Sequence, residues 1–181
     1  MLIKYKKVRK VTAPEIGTPL SAGIDLFVPE FNDKFIIDFG SKNDPLESTL
    51  LSNPKDEKIA LYPHCKVLIP SGIVFNMTTT KEQYDNQKFV LVAHNKSGVS
   101  SKYGLDVLAC VIDEDYQGEV HISLVNTGTK TVYIYPGDKI VQLIPMAIPQ
   151  IELKQADDDE ILFYRNNERG TGGFGSTNKQ Q

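Results

Sequence analysis

Short runs of β-branched and aromatic residues, cut at brief intervals by glycine-containing turns, constrain this chain more than any other feature. "KVLIP", "GIVFN", "KFVLVAH", "EVHISLVN", "TVYIY" and "KIVQLIPMAI" all carry strand composition. "PSG", "YQGE", "NTGT" and "YPGD" separate them. In "EVHISLVN", Val120, Ile122 and Leu124 fall on one face of a strand, and His121 and Ser123 on the other. No amphipathic helix longer than about ten residues passes the periodicity test; "KSGVSSKYG" offers at most a turn of helix. Many short strands with Gly/Pro turns predict an all-β sandwich or barrel.

Two stretches break this rhythm. Residues 32–58 are rich in Asn, Asp, Lys, Pro and Ser, and residues 78–87, "TTTKEQYDNQ", are polar throughout. Both read as loop insertions on a β core. The core is expected over residues 1–155 and a separate tail over 156–181, with the polar patch "QADDDE" at the boundary. A length of 181 residues with 40% hydrophobic content fits one domain with a real core. The net charge of −3 argues against stable nucleic-acid binding. Cys65 and Cys110 form no disulfide framework and read as reduced, intracellular thiols. No apolar run reaches membrane-spanning length, and no signal segment follows the basic start "MLIKYKKVRK", so the expected compartment is the cytoplasm. Lys4, Lys6, Lys7, Arg9 and Lys10 read either as protection of an exposed strand edge or as an anion attractor; the first is the plainer reading.

Four stretches could carry chemistry. "VIDEDYQGE" sets Asp113, Glu114 and Asp115 ahead of an aromatic residue and a glycine, near an expected hairpin end. On a strand, Asp113 and Asp115 would share one side and Glu114 would take the other. The trio reads as a solvated acidic turn or as the home of a general base. "NKSGVSSK" places Lys96 and Lys102 around small residues through which an anion could approach the backbone; it reads equally as a polar loop. In "PGDKIVQLI", Gln142 interrupts an apolar run and, if buried, must find a partner in backbone or ligand. Finally, "RGTGGFGST" holds four of the 13 glycines and has Ser/Thr hydroxyls, the composition of a phosphate loop, yet only four residues follow Thr177. No zinc spacing appears around the three histidines; the carboxylates favour a hard cation, and phosphates favour magnesium.

In order along the chain, "SAGIDLFVP", "NKSGVSSKYGL", "ACVIDEDYQGE", "PGDKIVQLI" and "RGTGGFGST" resemble the five motifs of the homotrimeric dUTPases. That resemblance implies a jelly-roll β fold assembled as a trimer, with active sites shared between subunits. It implies hydrolysis of dUTP to dUMP and pyrophosphate with Mg2+ on the triphosphate, which keeps uracil out of DNA and supplies dUMP for thymidylate synthesis. Asp113 resembles the carboxylate that activates the attacking water, and Tyr116 the ring under the deoxyribose. Main-chain groups of Cys110, Val111 and Ile112 would read the uracil edge. Lys96, Ser97, Gly98 and Gln142 would meet phosphate, and Asp25 would stand near the magnesium through water. The tail would be an arm that closes over a neighbouring subunit's site. There Arg169 would meet the terminal phosphate and Phe174 cover the uracil, with Gly175 and Ser176 beside the nucleotide.

This chain departs from the family pattern at several points. Lys96 stands where arginine is usual and loses its planar fork. Cys110 stands where many relatives have glycine, so a positive φ there would be strained. Ile24 replaces a common tyrosine and Asn178 a common glycine. The insertions exceed the family's short forms and suggest a protein partner. Two alternatives accompany the dUTPase reading: a dCTP deaminase on the same scaffold, whose family lacks the "RGTGGFGST" arm and the Asp113/Tyr116 pair, and a regulatory or binding trimer that uses the inserted loops.

Overall fold

A computed structural model describes residues 2–31, 58–77 and 87–157. Twelve strands and one short helix lie among these residues. In chain order the strands are β1 (Lys4–Lys7), β2 (Glu15–Ile16), β3 (Ile24–Phe27), β4 (Ile59–Leu61), β5 (Lys66–Pro70), β6 (Ile73–Asn76) and β7 (Lys88–Asn95). Helix α1 (Ser97–Tyr103) follows, then β8 (Leu105–Val107), β9 (Val111–Ile112), β10 (His121–Asn126), β11 (Val132–Ile134) and β12 (Lys139–Ile148). The strands form four sheets, ordered β1-β6, β5-β10-β8, β11-β4 and β2-β3-β12-β7-β9. Every pairing is antiparallel. The all-β class expected from the turn-punctuated runs is therefore the class observed.

One core joins the four sheets. Leu26 and Val28, Leu61, Ile69, Ile73, Leu91, Leu124, Ile134, Val141 and Leu143 are at most 1% exposed and belong to a single apolar cluster. Full burial of such a side chain stabilises the fold by about 2 kcal/mol. In β10 the burial alternates as the sequence pattern predicts, with Ile122 and Leu124 inside and His121 out. Asn126 closes that strand. It is fully buried, donates Nδ2 to the carbonyls of Leu61 and Lys130 at 2.9 Å, and accepts the Gly128 N–H at 2.9 Å.

β1 is exposed at every residue and pairs with β6 alone. Its lysines guard a sheet edge, in line with the plainer reading of the basic start. Arg9 lies beyond that strand and grips Glu119 instead, with Nε–Oε1 at 2.6 Å and Nη2–Oε2 at 3.0 Å. The turn of helix expected in "KSGVSSKYG" is α1. It stops at Gly104, whose φ of 68° is left-handed and whose N–H bonds the Ser100 carbonyl at 2.9 Å. A Cβ at Gly104 would also lie 2.9 Å from the Gly128 nitrogen, so only glycine fits.

The chain divides into two units, Met1–Gln150 and Ile151–Gln181. The first holds every strand found among the described residues, and α1. Of the second, residues 151–157 are described and carry no regular structure. Nearly all of the two expected insertions, over 32–57 and 78–86, lies outside the described residues. No helix among the described residues is long and apolar enough to cross a membrane.

Candidate active site

The five-stranded sheet gathers residues from distant parts of the chain into one row. Its registers place Glu15 opposite Asp25, Asp25 opposite Gln142, and Gln142 opposite His94. Residues directly opposite one another project to the same face. Lys139 joins that face through a β-bulge. It pairs with Phe27, while Val141 pairs with Leu26, so two steps along β12 match one along β3. Without the extra residue, Lys139, three positions before Gln142, would project to the other face. Its ammonium instead lies 5.6 Å from the centre of the Phe27 ring.

At the middle of this row sits Asp25, whose side chain is 8% exposed. Oδ1 contacts the Lys96 ammonium directly, and Oδ2 lies 3.7 Å from the Lys139 ammonium. Lys139 also contacts Glu15 Oε1 at 2.9 Å. The Glu15 hydrogen bond and then its charge raise the Lys139 pKa above the usual 10.5; burial opposes them, and Asp25 adds a lesser raise. A carboxylate this buried needs its cations, because an unpaired buried charge is strongly destabilising.

Gln142 settles its partner within the protein. Nε2 donates to the Asn95 carbonyl at 2.9 Å, and the amide keeps a second N–H. Asn95 is itself anchored: its Oδ1 accepts the Val107 N–H at 2.9 Å and its Nδ2 donates to Asp106 Oδ1 at 2.5 Å. This fixes the end of β7, from which the chain turns through Lys96 into α1. The carbonyl of Lys96 accepts the N–H groups of Val99 and Ser100 at 2.9 Å. Ser97 and Gly98 thus form the first turn, where helical amides have no intrahelical acceptor. A Cβ at Gly98 would meet nothing within 4 Å, so the approach to that backbone is open.

The stretch around 23 also bears on Gln142. A Cβ added at Gly23 would fall 2.4 Å from Gln142 Oε1 and 3.0 Å from its Cβ. Gly23 is absent from the positive-φ residues. The glycine is required for space, so that β12 can present Gln142 beside β3.

β9 is the outer strand of this sheet among the described residues. It pairs with β7 through Val111–Val92 and Ile112–Leu91, and the Cys110 carbonyl accepts the Ala93 N–H at 2.6 Å. An outer strand has one rank of main-chain groups outside the ladder, where a base edge can bond. Cys110 is also free of the strain considered above, since His64 is the one non-glycine residue with positive φ among the described residues.

The acidic bend differs from expectation. β9 ends at Ile112 and pairs with β7, whereas β10 pairs with β5 and β8, so the bend links two sheets and does not close a hairpin. The Tyr116 N–H bonds the Asp113 carbonyl at 3.1 Å, so the three carboxylates lie in a turn, where strand alternation does not apply. The outcome is nevertheless similar. Asp113 and Asp115 are exposed, while Glu114 is half-buried, and its buried Oε1 has no hydrogen-bond partner among the described residues. The Asp113 carboxylate has no ion pair or hydrogen bond among those residues. Tyr116 folds over its own turn: its hydroxyl donates to the Glu119 carbonyl at 3.0 Å, and a Cβ at Gly118 would lie 2.4 Å from that oxygen. Its ring remains 45% exposed. Glu119 fixes the base of the bend by pairing with Arg9 and accepting the Gly72 N–H at 2.7 Å.

A family model described as dUTPase matches residues 51–178. The chain belongs to the dUTPase family. It hydrolyses dUTP to dUMP as a dUTP diphosphatase. The deoxyuridine 5'-triphosphate nucleotidohydrolase of Polynucleobacter asymbioticus is 29% identical over 168 residues, 92% of this chain and 88% of the relative. A dUTPase of Staphylococcus bacteriophage 80alpha, solved with dUpNHpp, shares the fold with a TM-score of 0.68 at 22% identity, covering 97% of each chain. A dUTPase of S. aureus phage phi11, described with a structural Mg(II) ion, has a TM-score of 0.63 at 20% identity, covering 89% of this chain and all of that one.

Measured against the dUTPase motifs, the sheet brings Asp25, Lys96 and Gln142 together, with Ser97 and Gly98 next in the chain. Asp113 and Tyr116 occupy the bend after β9. Arg169, Phe174, Gly175 and Ser176 lie outside the described residues. Sequence reasoning passed over Gly23, Glu15 and Lys139. The first and last stood inside quoted motifs, but only register and the bulge give them their neighbours. No group of three or more His, Cys, Asp or Glu residues able to hold a metal occurs among the described residues. The buried Asp25 carboxylate is engaged by Lys96 and Lys139; a magnesium ion carried on phosphates keeps its waters and takes few protein ligands, so it asks for no such group.

Proposed function

We propose that this dUTPase cleaves between the α- and β-phosphates by attack of a water activated by Asp113. The observation that carries this reading is the meeting of Asp25 and Gln142 in one row with Lys96 on the Asp25 carboxylate, while the Asp113 carboxylate, exposed and without a partner among the described residues, stands on the bend after β9 beside Lys88–Val90, toward the other end of β7. Asp113 accepts the water's proton as the new P–O bond forms. Lys96, the first-turn amides of Ser97 and Gly98, and the spare N–H of Gln142 stabilise oxygen charge on the chain of phosphates. Main-chain groups of Cys110, Val111 and Ile112 read the uracil edge, and a backbone wall there leaves no space for a thymine methyl. Tyr116 packs under the deoxyribose, crowding a ribose 2'-hydroxyl. Mg2+, carried by the triphosphate and held near Asp25 through water, supplies charge neutralisation when bound.

The working particle in this reading is a homotrimer with shared sites. Residues 156–181 form an arm that brings Arg169, Phe174, Gly175 and Ser176 to a neighbouring subunit's nucleotide. The enzyme acts in the cytoplasm, limiting uracil in DNA and supplying dUMP. The insertions over 32–58 and 78–87 are where a protein partner would bind.

Asp113→Asn is expected to lower kcat about a thousandfold while dUpNHpp affinity stays within about threefold. Turnover near the wild-type rate would reject the base assignment. Mixing Asp113→Asn chains with chains truncated before Arg169 is expected to restore partial activity. No rescue despite confirmed subunit exchange would reject the shared site.

A further inference from the structure

We propose that Lys139 is a positioning residue for triphosphate capture, holding the Asp25 carboxylate when Lys96 leaves it for phosphate. The idea rests on the reading of Lys96 as a phosphate ligand, and it starts from a conflict within the site. In the structure, Lys96 is spent on Asp25, which it contacts directly. One ammonium cannot neutralise a buried carboxylate and a phosphate at full strength together. If Lys96 swings to phosphate, Asp25, 8% exposed, loses its direct ammonium contact, and a magnesium ion held through water leaves the carboxylate oxygens without one.

Lys139 is placed to supply it. Its ammonium already stands 3.7 Å from the second Asp25 oxygen, against 2.9 Å from Glu15 Oε1. The Lys139–Glu15 pair is loose by its surroundings, with side chains 41% and 48% exposed, and exposed pairs of this kind hold weakly. A short movement from Glu15 toward Asp25 would complete the exchange. The β-bulge between Lys139 and Val141 gives the arrangement its purpose, because a regular strand would send Lys139 to the opposite face. Lysine at position 96 suits the exchange better than arginine would. A compact ammonium on a flexible stem leaves a carboxylate more readily than a planar fork that binds both oxygens.

The test uses the full chain at fixed magnesium, with dUpNHpp and deoxyuridine binding and dUTP kinetics as readouts. Lys139→Met is expected to weaken dUpNHpp about tenfold and raise KM for dUTP in parallel, with kcat within about twofold. Deoxyuridine, which has no phosphate, should bind as before. Lys139→Arg should restore dUpNHpp affinity. Glu15→Gln, which frees Lys139 for Asp25, should leave that affinity unchanged or tighten it. Unchanged dUpNHpp affinity in Lys139→Met would overturn the proposal, as would an equal loss for deoxyuridine, no rescue by arginine, or weakening by Glu15→Gln. Lys96→Met separates the two levels. If it leaves dUpNHpp affinity unchanged, the phosphate reading of Lys96 fails and the exchange fails with it. If it weakens binding while Lys139→Met does not, the exchange alone fails.

Discussion

Replacing Gly23 with alanine tests the architecture of the site through one methyl group. The new Cβ would sit 2.4 Å from Gln142 Oε1, 3.0 Å from its Cβ and 3.1 Å from its Cδ. Rotation of the Gln142 side chain can relieve the first and third contacts. It cannot relieve the second, because Cβ is fixed to the β12 backbone, and β12 is paired with β3 on one side and β7 on the other. Overpacking of this kind costs about 1–3 kcal/mol, and loss of the Gln142–Asn95 bond adds about 1 kcal/mol. Stiffening of the unfolded chain offsets about 0.4–1 kcal/mol. The net expectation is about 2 kcal/mol of destabilisation, a fall of about 4–8 °C in Tm for a chain of this size. Thermal unfolding at fixed protomer concentration reads it directly. In the double variant Gly23→Ala/Gln142→Ala the clash with Cδ and Oε1 disappears, so about 1 kcal/mol should return as a coupling between the sites. Catalysis should not return with it, because the amide is gone. A Tm within 1 °C of wild type for Gly23→Ala, or strict additivity in the cycle, would refute the claim that Gly23 is there to make space for Gln142.

Two further expectations concern stability. Asn126→Leu keeps the branched shape with bulkier methyl ends and strips partners from the Leu61 and Lys130 carbonyls and the Gly128 N–H, so denaturation should show a loss of about 3 kcal/mol; a loss below about 1 kcal/mol would mean those groups find other partners. Lys139 has a raised folded-state pKa, chiefly through Glu15, so its contribution is fully present below its unfolded value near 10.5 and is lost as pH rises through the folded value. Denaturant titrations across that alkaline window should show this loss in wild type and a shallower one in Glu15→Gln; equal slopes would reject Glu15 as the main cause.

Much of this molecule was legible before any coordinates. Strand composition and turn glycines announced the all-β class, since period-two burial needs only local alternation, and "KSGVSSKYG" disclosed its one described helix. The five ordered motifs resembled those of the dUTPases, and the family model over residues 51–178 bears that resemblance out. The acidic bend was misread as a hairpin because sequence shows that a chain turns without showing which strand receives it; β9 joins β7, and β10 lies in another sheet. The composition of "PGDKIVQLI" could not tell that a bulge turns Lys139 toward Asp25, nor could "SAGIDL" tell that Gly23 exists for the sake of a glutamine more than a hundred residues away. Residue types and local periodicity are properties of neighbours along the chain. Register, bulges and close approach arise between segments far apart in sequence, so the inventory of the site was written in the chain, while its charge pairing was decided by the sheet.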